Sequence, residues 1–483
     1  MRVAIAYPPL ESEKGVPLLT QNRQFQWFSR PTYIFPVVPA TAATMLKKAG
    51  HEILFLDGIA AELSPAEFER RLSEFRPELV VLETKTPVVK RHWAWIREKA
   101  KSGLLPASCR TALVGDHVTA MPEESMSECP VDLILTGGDW DFLLLNVVES
   151  GFDPAKFEPG IWYREGGEVK NTGRFRLNHD LNSAPWIDRD LVRWELYSRK
   201  NGNFKRTPGT YIMAGRDCWH AKCTFCSWTT LYPTYRTRDA VDVVDEIETL
   251  VSKYGVREIM DDSGSFPAGQ WLSKFCEEMI RRGLNKKVRI DCNMRFGRLG
   301  YEDYRLMRRA GFRLVLFGVE SANQATLDRF VKALKVEDVE KGAAWASKAG
   351  LDVHLTFMFG HAWEGPDEIA NTVKLARRLL ANGHAATLQC TLTIPYPGTS
   401  LFSELRESDG LTTLDWDEYD QRKAITKTPL VSEEDIKRAI RDVYRGFLQP
   451  RALWHMVRRN LFDLGFYWRG LKYLRGHLLD FSG

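Results

Sequence analysis

Residues 210–226 read Thr210-Tyr211-Ile212-Met213-Ala214-Gly215-Arg216-Asp217-Cys218-Trp219-His220-Ala221-Lys222-Cys223-Thr224-Phe225-Cys226. A short apolar run with strand composition passes into a polar loop that carries three cysteines in nine positions. The run opens a series. Tyr211–Ala214, Glu258–Asp261, Arg289–Asn293, Leu314–Gly318, Val353–Gly360 and Thr387–Ile394 read as six strands, with helical periodicity over Ala240–Tyr254, Trp271–Arg282 and Pro366–Ala381 between them. Strands alternating with helices predict a partial parallel (β/α)6 barrel over about residues 206–410, with its chemistry at the rim formed by the strands' carboxyl ends.

Working outward toward the amino terminus, a second alternating series fills about residues 1–150. Val3–Tyr7, Glu52–Leu56, Leu79–Glu83, Thr111–Gly115 and Asp132–Thr136 read as strands, and Ala40–Ala49, Pro65–Phe75 and His92–Lys101 as helices. Mostly apolar strands in βα units predict a doubly wound, Rossmann-like parallel sheet that binds its ligand at the carboxyl ends. The turns there hold Pro8-Pro9, Thr84-Lys85-Thr86-Pro87, Gly115-Asp116-His117 and Gly137-Gly138-Asp139. None forms the G-x-G-x-x-G fingerprint, which disfavours a nicotinamide cofactor. Residues 151–205, with Pro154, Pro159, Gly166-Gly167 and Pro185, read as an irregular linker, and residues 411–483 as a helical region. Its end is basic and aromatic, with Arg458, Arg459, Phe462, Phe466, Tyr467, Trp468, Arg469, Lys472, Tyr473 and Arg475.

Bulk properties narrow the function classes. A length of 483 residues favours several domains over one core. The net charge of +4 is too small for nucleic-acid binding through a general positive field. The amino terminus reaches Pro8-Pro9 too early for a signal peptide, and no window nears eighteen uninterrupted apolar residues, so a cytoplasmic location is expected. Eight cysteines, three of them crowded, suit metal ligation in a reducing compartment better than a disulfide framework. Cys109, Cys129, Cys276, Cys292 and Cys390 lack metal spacing and read as buried thiols, although Cys292 and Cys390 stand on barrel strands. No G-x-S-x-G elbow follows a strand, so a serine hydrolase has no support.

Three thiolates on one loop can each hold one iron of a cubane and leave the fourth iron open to a ligand. The spacing by itself also suits a zinc loop with His220 as fourth ligand, or three buried thiols. The surrounding residues resemble the radical S-adenosylmethionine superfamily. Phe225 stands where that family puts an apolar residue near adenine. Met260-Asp261-Asp262-Ser263 resembles its turn for the methionyl amino group. Arg289–Arg295 resembles its third-strand segment, and Phe317–Gln324 its glycine, glutamate and serine signature. The loop departs from the family pattern in having four residues, not three, between Cys218 and Cys223.

The resemblance implies a [4Fe-4S] cluster on Cys218, Cys223 and Cys226, and S-adenosylmethionine held by Phe225, Asp261, Asp262, Ser263, Arg295, Glu320 and Ser321. The preceding doubly wound domain and the closing Ile394-Pro395-Tyr396-Pro397-Gly398-Thr399 are similar to the cobalamin-binding branch. That likeness implies cobalamin at Thr84, Thr86, Pro87, Gly115, Asp116, His117, Gly137 and Gly138, with His117 the candidate axial ligand in the absence of Asp-x-His-x-x-Gly. The expected reaction is methylation of an unactivated carbon through a 5′-deoxyadenosyl radical. A cyclase or oxidoreductase without methyl transfer is the alternative, and a corrin- or metal-binding carrier or sensor the non-enzymatic one. Expected partners are a small-molecule, lipid or peptide substrate and a ferredoxin- or flavodoxin-type donor, with peripheral membrane contact through the C-terminal region and no nucleic acid.

Overall fold

Runs such as Leu79-Val80-Val81-Leu82-Glu83, buried at every position, can be satisfied only in a sheet covered on both faces. In a computed structural model that describes residues 1–19, 25–29 and 31–459, such runs build two sheets. The first contains β1 (Arg2–Tyr7), β2 (Glu52–Asp57), β3 (Leu79–Glu83), β4 (Arg110–Val114), β5 (Leu133–Leu135), β6 (Ile161–Glu165) and β7 (Glu168–Asn171), in the order β2-β1-β3-β4-β5-β6-β7. The first five are parallel, and β6 and β7 add antiparallel. The order reverses between β1 and β3, so the crevice outside their carboxyl ends is the switch point of a doubly wound sheet. The hairpin β6–β7 comes from the segment expected as linker. It turns at Gly166-Gly167, both at positive φ, and a Gly-Gly pair between strand-forming residues is a hairpin signal.

The second sheet holds β8 (Gly209–Ile212), β9 (Glu258–Asp261), β10 (Arg289–Met294), β11 (Phe312–Glu320), β12 (Asp352–Phe359) and β13 (Thr387–Leu392). They lie in chain order and every neighbouring pair is parallel. The sheet is a partial barrel with β8 and β13 as its edges. Beside the β13 edge lies helix α1 (Glu433–Arg445), started by a Ser432/Asp435 capping box. It buries Ile436, Ala439, Ile440, Val443 and Tyr444, and the Tyr444 hydroxyl accepts the Cys390 N–H at 3.2 Å. Cys390 thus stands beside the covering helix. The helix α2 (Pro450–Arg459) follows; the expected basic and aromatic residues from Phe462 to Arg475 lie outside the described residues. Among the described residues no helix is long and apolar enough to cross a membrane.

The two sheets face each other across a locked interface. Arg216, just past β8, makes a two-pronged pair with Asp141 at 2.8 and 2.6 Å and reaches Asp139 at 3.0 Å, all three side chains buried. Arg236 and His179 also converge on Asp139. Burial pulls the Asp139 carboxyl upward, but the His179 hydrogen bond and the Arg216 and Arg236 charges outweigh it and hold the carboxyl well below the usual range.

Candidate active site

The three cysteines occupy the loop that leaves β8 at the carboxyl rim of the second sheet. Cys223 is buried, and Cys218 and Cys226 are half-buried. The strand exit is held by the next turn: Asp261 accepts N–H groups from Ala214 at 2.7 Å and Ser263 at 3.0 Å, and the Ser263 hydroxyl accepts from Gly215 at 2.9 Å. Asp261 and Ser263, expected as cofactor contacts, therefore position the loop. Burial pushes the Asp261 carboxyl up to about 6 despite those bonds. The far side of the loop is clasped by residues 329–333: the Thr224 N–H donates to the Phe330 carbonyl at 3.0 Å, and His220 Nε2 meets the Val331 carbonyl at 2.6 Å. That bond commits one ring nitrogen of His220 to the backbone.

Burial, then the charge of the Cys223 sulfur, pushes the Cys226 thiol upward. Three crowded thiolates therefore need a cation, which iron supplies. Among the described residues no group of three or more His, Cys, Asp or Glu is arranged around a single ion. A cubane asks for a different arrangement, one thiolate at each of three irons, which one loop can supply.

Beside the cysteines lies a compact charged set. β11 carries a bulge between Gly318 and Glu320, and Glu320 takes a left-handed φ of 69° that re-aims its side chain. Its carboxylate accepts Lys332 Nζ at 2.7 Å and the Thr356 hydroxyl at 3.4 Å. A Cβ on Gly318 would stand 2.2 Å from Glu320 Oε1 and 3.0 Å from Lys332 Nζ, so a side chain there would push the pair aside. Val331 and Ala333, on either side of Lys332, also have positive φ, and such strain gathers at functional sites. Lys332 Nζ lies 5.8 Å from the Phe225 ring centroid; Phe225 packs on Phe330 at 4.6 Å. Arg295 reaches the Lys332 carbonyl and places Nη1 3.7 Å from Cys223 Sγ.

The structure therefore gathers Cys223, Phe225, Arg295 and Glu320 around Lys332, a residue that sequence reasoning missed. Its one signal was a lone lysine inside Phe330-Val331-Lys332-Ala333-Leu334. Ser321 turns away from this set. Its hydroxyl donates to Glu364 at 2.7 Å in a buried network with Asn323 and Thr326.

The carboxyl edge of the first sheet faces this rim, and several residues expected there as corrin contacts have packing roles within the chain. His117 is fully buried between Trp93 and Trp416, its Nδ1 3.2 Å from the Thr86 hydroxyl and its Nε2 3.3 Å from Glu124. Both ring nitrogens are engaged, which argues against the axial-ligand role. The Thr84 hydroxyl pairs with His92 Nδ1 at 2.7 Å, and Thr86-Pro87 open a buried 3-10 turn. A Cβ on Gly115 would stand 2.2 Å from the Thr84 carbonyl, so this glycine permits a strand-to-strand approach. Gly137 and Gly138 are filled by the Phe175 and Tyr232 rings, and Gly138 exchanges backbone bonds with the second sheet's connection: its N–H donates to the Leu231 carbonyl and its carbonyl accepts the Tyr232 hydroxyl, both at 3.0 Å. Gly138 thus docks one sheet on the other, while Gly137 packs on the segment after β7. Asp116 accepts its neighbour's N–H and lies 3.6 Å from Lys85 Nζ, which stands 5.2 Å from the Trp228 ring.

Residues 212–376 match the family model described as the Radical SAM superfamily. The chain is 28% identical over 450 residues to an anaerobic magnesium-protoporphyrin IX monomethyl ester cyclase of Cereibacter sphaeroides, covering 90% of this chain and 68% of that protein. It is 26% identical to the uncharacterized methyltransferase PH0819 of Pyrococcus horikoshii, covering 86% and 89%. Among solved structures it is similar to TsrM of Kitasatospora setae, a radical S-adenosylmethionine methyltransferase with cobalamin and a [4Fe-4S] cluster bound. That likeness has a TM-score of 0.67 at 16% identity over 92% of this chain and 88% of that one, and at this identity it is a likeness of fold.

Proposed function

This chain carries a radical S-adenosylmethionine domain, and from that premise we propose that it is a cobalamin-dependent methyltransferase acting on an unactivated carbon of a small molecule. One observation carries the reading: the three-cysteine loop at the carboxyl rim of the second sheet stands against the carboxyl edge of a doubly wound sheet. Two cofactors bound at the two edges would share one enclosed space.

The residues fit both groups. Cys218, Cys223 and Cys226 would hold the cluster; a thiol trio with adjacent Arg295 suits a cluster's anionic character. Phe225, Glu320, Lys332, Arg295 and Asp262 would hold S-adenosylmethionine, whose ammonium needs an anion and whose carboxylate needs a cation. Cobalamin fits the β1/β3 switch point, where a buried Glu83 carboxylate oxygen has no hydrogen-bond partner among the described residues. When bound, the cluster and S-adenosylmethionine supply a 5′-deoxyadenosyl radical for hydrogen abstraction and cobalamin supplies the methyl group. The chain's own part is to orient and to exclude water. The Glu320–Lys332 pair holds a fixed charge pattern, the loop 329–333 fastens the cysteines, and the Arg216 pairs join the two sheets.

Domain roles follow from the same reading: the corrin on the first sheet, and the cluster and S-adenosylmethionine on the second. We also propose a cytoplasmic location, a ferredoxin- or flavodoxin-type electron donor, and membrane contact through α2, where Leu453, Trp454 and Val457 are exposed. The decisive experiment incubates anaerobically reconstituted protein with labelled S-adenosylmethionine and reductant. 5′-Deoxyadenosine together with S-adenosylhomocysteine supports methyl transfer, and neither product rejects the enzyme reading. The resemblance to the Cereibacter cyclase favours a second reading, radical cyclisation or oxidation, for which 5′-deoxyadenosine alone is the signature.

A further inference from the structure

At the carboxyl end of β3, Glu83 is 2% exposed yet only half satisfied. Tyr7, at the end of the adjacent β1, donates its hydroxyl to Oε2, while Oε1 has no partner among the described residues. A buried polar atom without a partner is rare in a folded protein and marks a place where a ligand could bond. The residue sits at the switch point, the place in such a sheet where a ligand enters. The charges that act most on it are Lys85 and Asp116, on its own edge, and Asp262, on the opposite rim. Asp57 and Tyr197, hydrogen-bonded to each other at 2.7 Å, stand behind Tyr7.

We propose that Glu83 is a corrin contact, Oε1 donating a hydrogen bond to a ring carboxamide of cobalamin held between β1 and β3. The inference rests on the cobalamin reading above. Burial pushes the Glu83 carboxyl up to about 7, against the Lys85 charge and the Tyr7 hydrogen bond and with help from Asp116 and Asp262. Near neutrality the group therefore holds a proton on one oxygen while the other accepts from Tyr7. A carboxamide carbonyl matches the protonated oxygen, and the ring that brings it excludes the water an anion would need. Cobalamin consequently favours the neutral acid, and binding raises the carboxyl further.

The linkage has a definite sign. Affinity is full where free Glu83 is protonated and is lost as pH rises above about 7, by up to tenfold per pH unit for one linked proton. The test measures methylcobalamin affinity from pH 6 to 9 by tryptophan quenching, without S-adenosylmethionine; methylcobalamin carries no cobalt-bound water to titrate. The wild type is expected to weaken across that range. Glu83→Gln, neutral throughout and able to donate through Nε2, is expected to bind with the wild type's low-pH affinity and no slope. Tyr7→Phe, which keeps the carboxyl but removes a bond that lowers it, is expected to move the break to higher pH. A flat wild-type profile, a Glu83→Gln slope equal to wild type, or an unmoved break in Tyr7→Phe overturns the proposal while cobalamin binding stands. Protein that retains no cobalamin at any pH overturns the cobalamin reading and this inference with it.

Discussion

Glu320 holds a strained backbone conformation so that its carboxylate can meet Lys332, and Gly318 is the residue that makes room for both. Adding a methyl group at that glycine should displace the pair. Gly318→Ala is expected to weaken S-adenosylmethionine binding at least tenfold in equilibrium dialysis, with the iron content unchanged. Glu320→Gln leaves Lys332 without its counter-charge, and a hydrogen bond to a charged group is worth about 1.5–3 kcal/mol, roughly a ten- to hundredfold loss in affinity. Cys223→Ala tests the other half of the site: the visible thiolate-to-iron absorption should disappear, and full absorption with full iron content would reject Cys223 as a ligand. The cysteine loop and Glu320 were legible in the sequence because their spacing and neighbours form a pattern. Glu83 and Lys332 were not, because a charged residue ending or interrupting an apolar run gains its meaning from burial and partner, which no spacing encodes.

At the scale of elements, the parallel strands could be located from sequence because a sheet covered on both faces requires unbroken apolar runs such as Leu79–Leu82. The hairpin Ile161–Asn171 was overlooked because β7 is exposed along its whole length and offers no apolar alternation, leaving Gly166-Gly167 as its one signal. The glycines expected to cradle a corrin show how little a glycine says by itself. A glycine at a strand end signals a close approach without saying what approaches, and Phe175 and Tyr232 of the same chain fill Gly137 and Gly138. Gly138→Ala would bring a methyl group to 1.9 Å from the Tyr232 ring and should force the connection after the cysteine loop away from the first sheet. Faster hydrogen exchange in residues 228–238 is the expected reading, whereas an unchanged rate would show that the ring yields without disturbing the interface.

For the whole molecule, the buried Arg216 guanidinium is a principal tie between the sheets. Arg216→Met removes a cation, strands the Asp141 carboxylate and leaves Asp139 with Arg236 and His179, a change that typically costs about 3–5 kcal/mol when one partner of a buried pair is deleted. Because Asp139 titrates well below its unfolded value, its contribution is present above the ordinary carboxylate range and is lost as pH falls through the folded value. Calorimetric melting should therefore show a large gap between wild type and Arg216→Met at pH 7 that narrows below about pH 4. The second sheet stops at six strands, and α1 stands beside the last of them. A closed barrel needs no such guard, since it has no free edge. Here a cut before Glu433 would strip α1 from the β13 edge, so that helix shields the edge from strand addition.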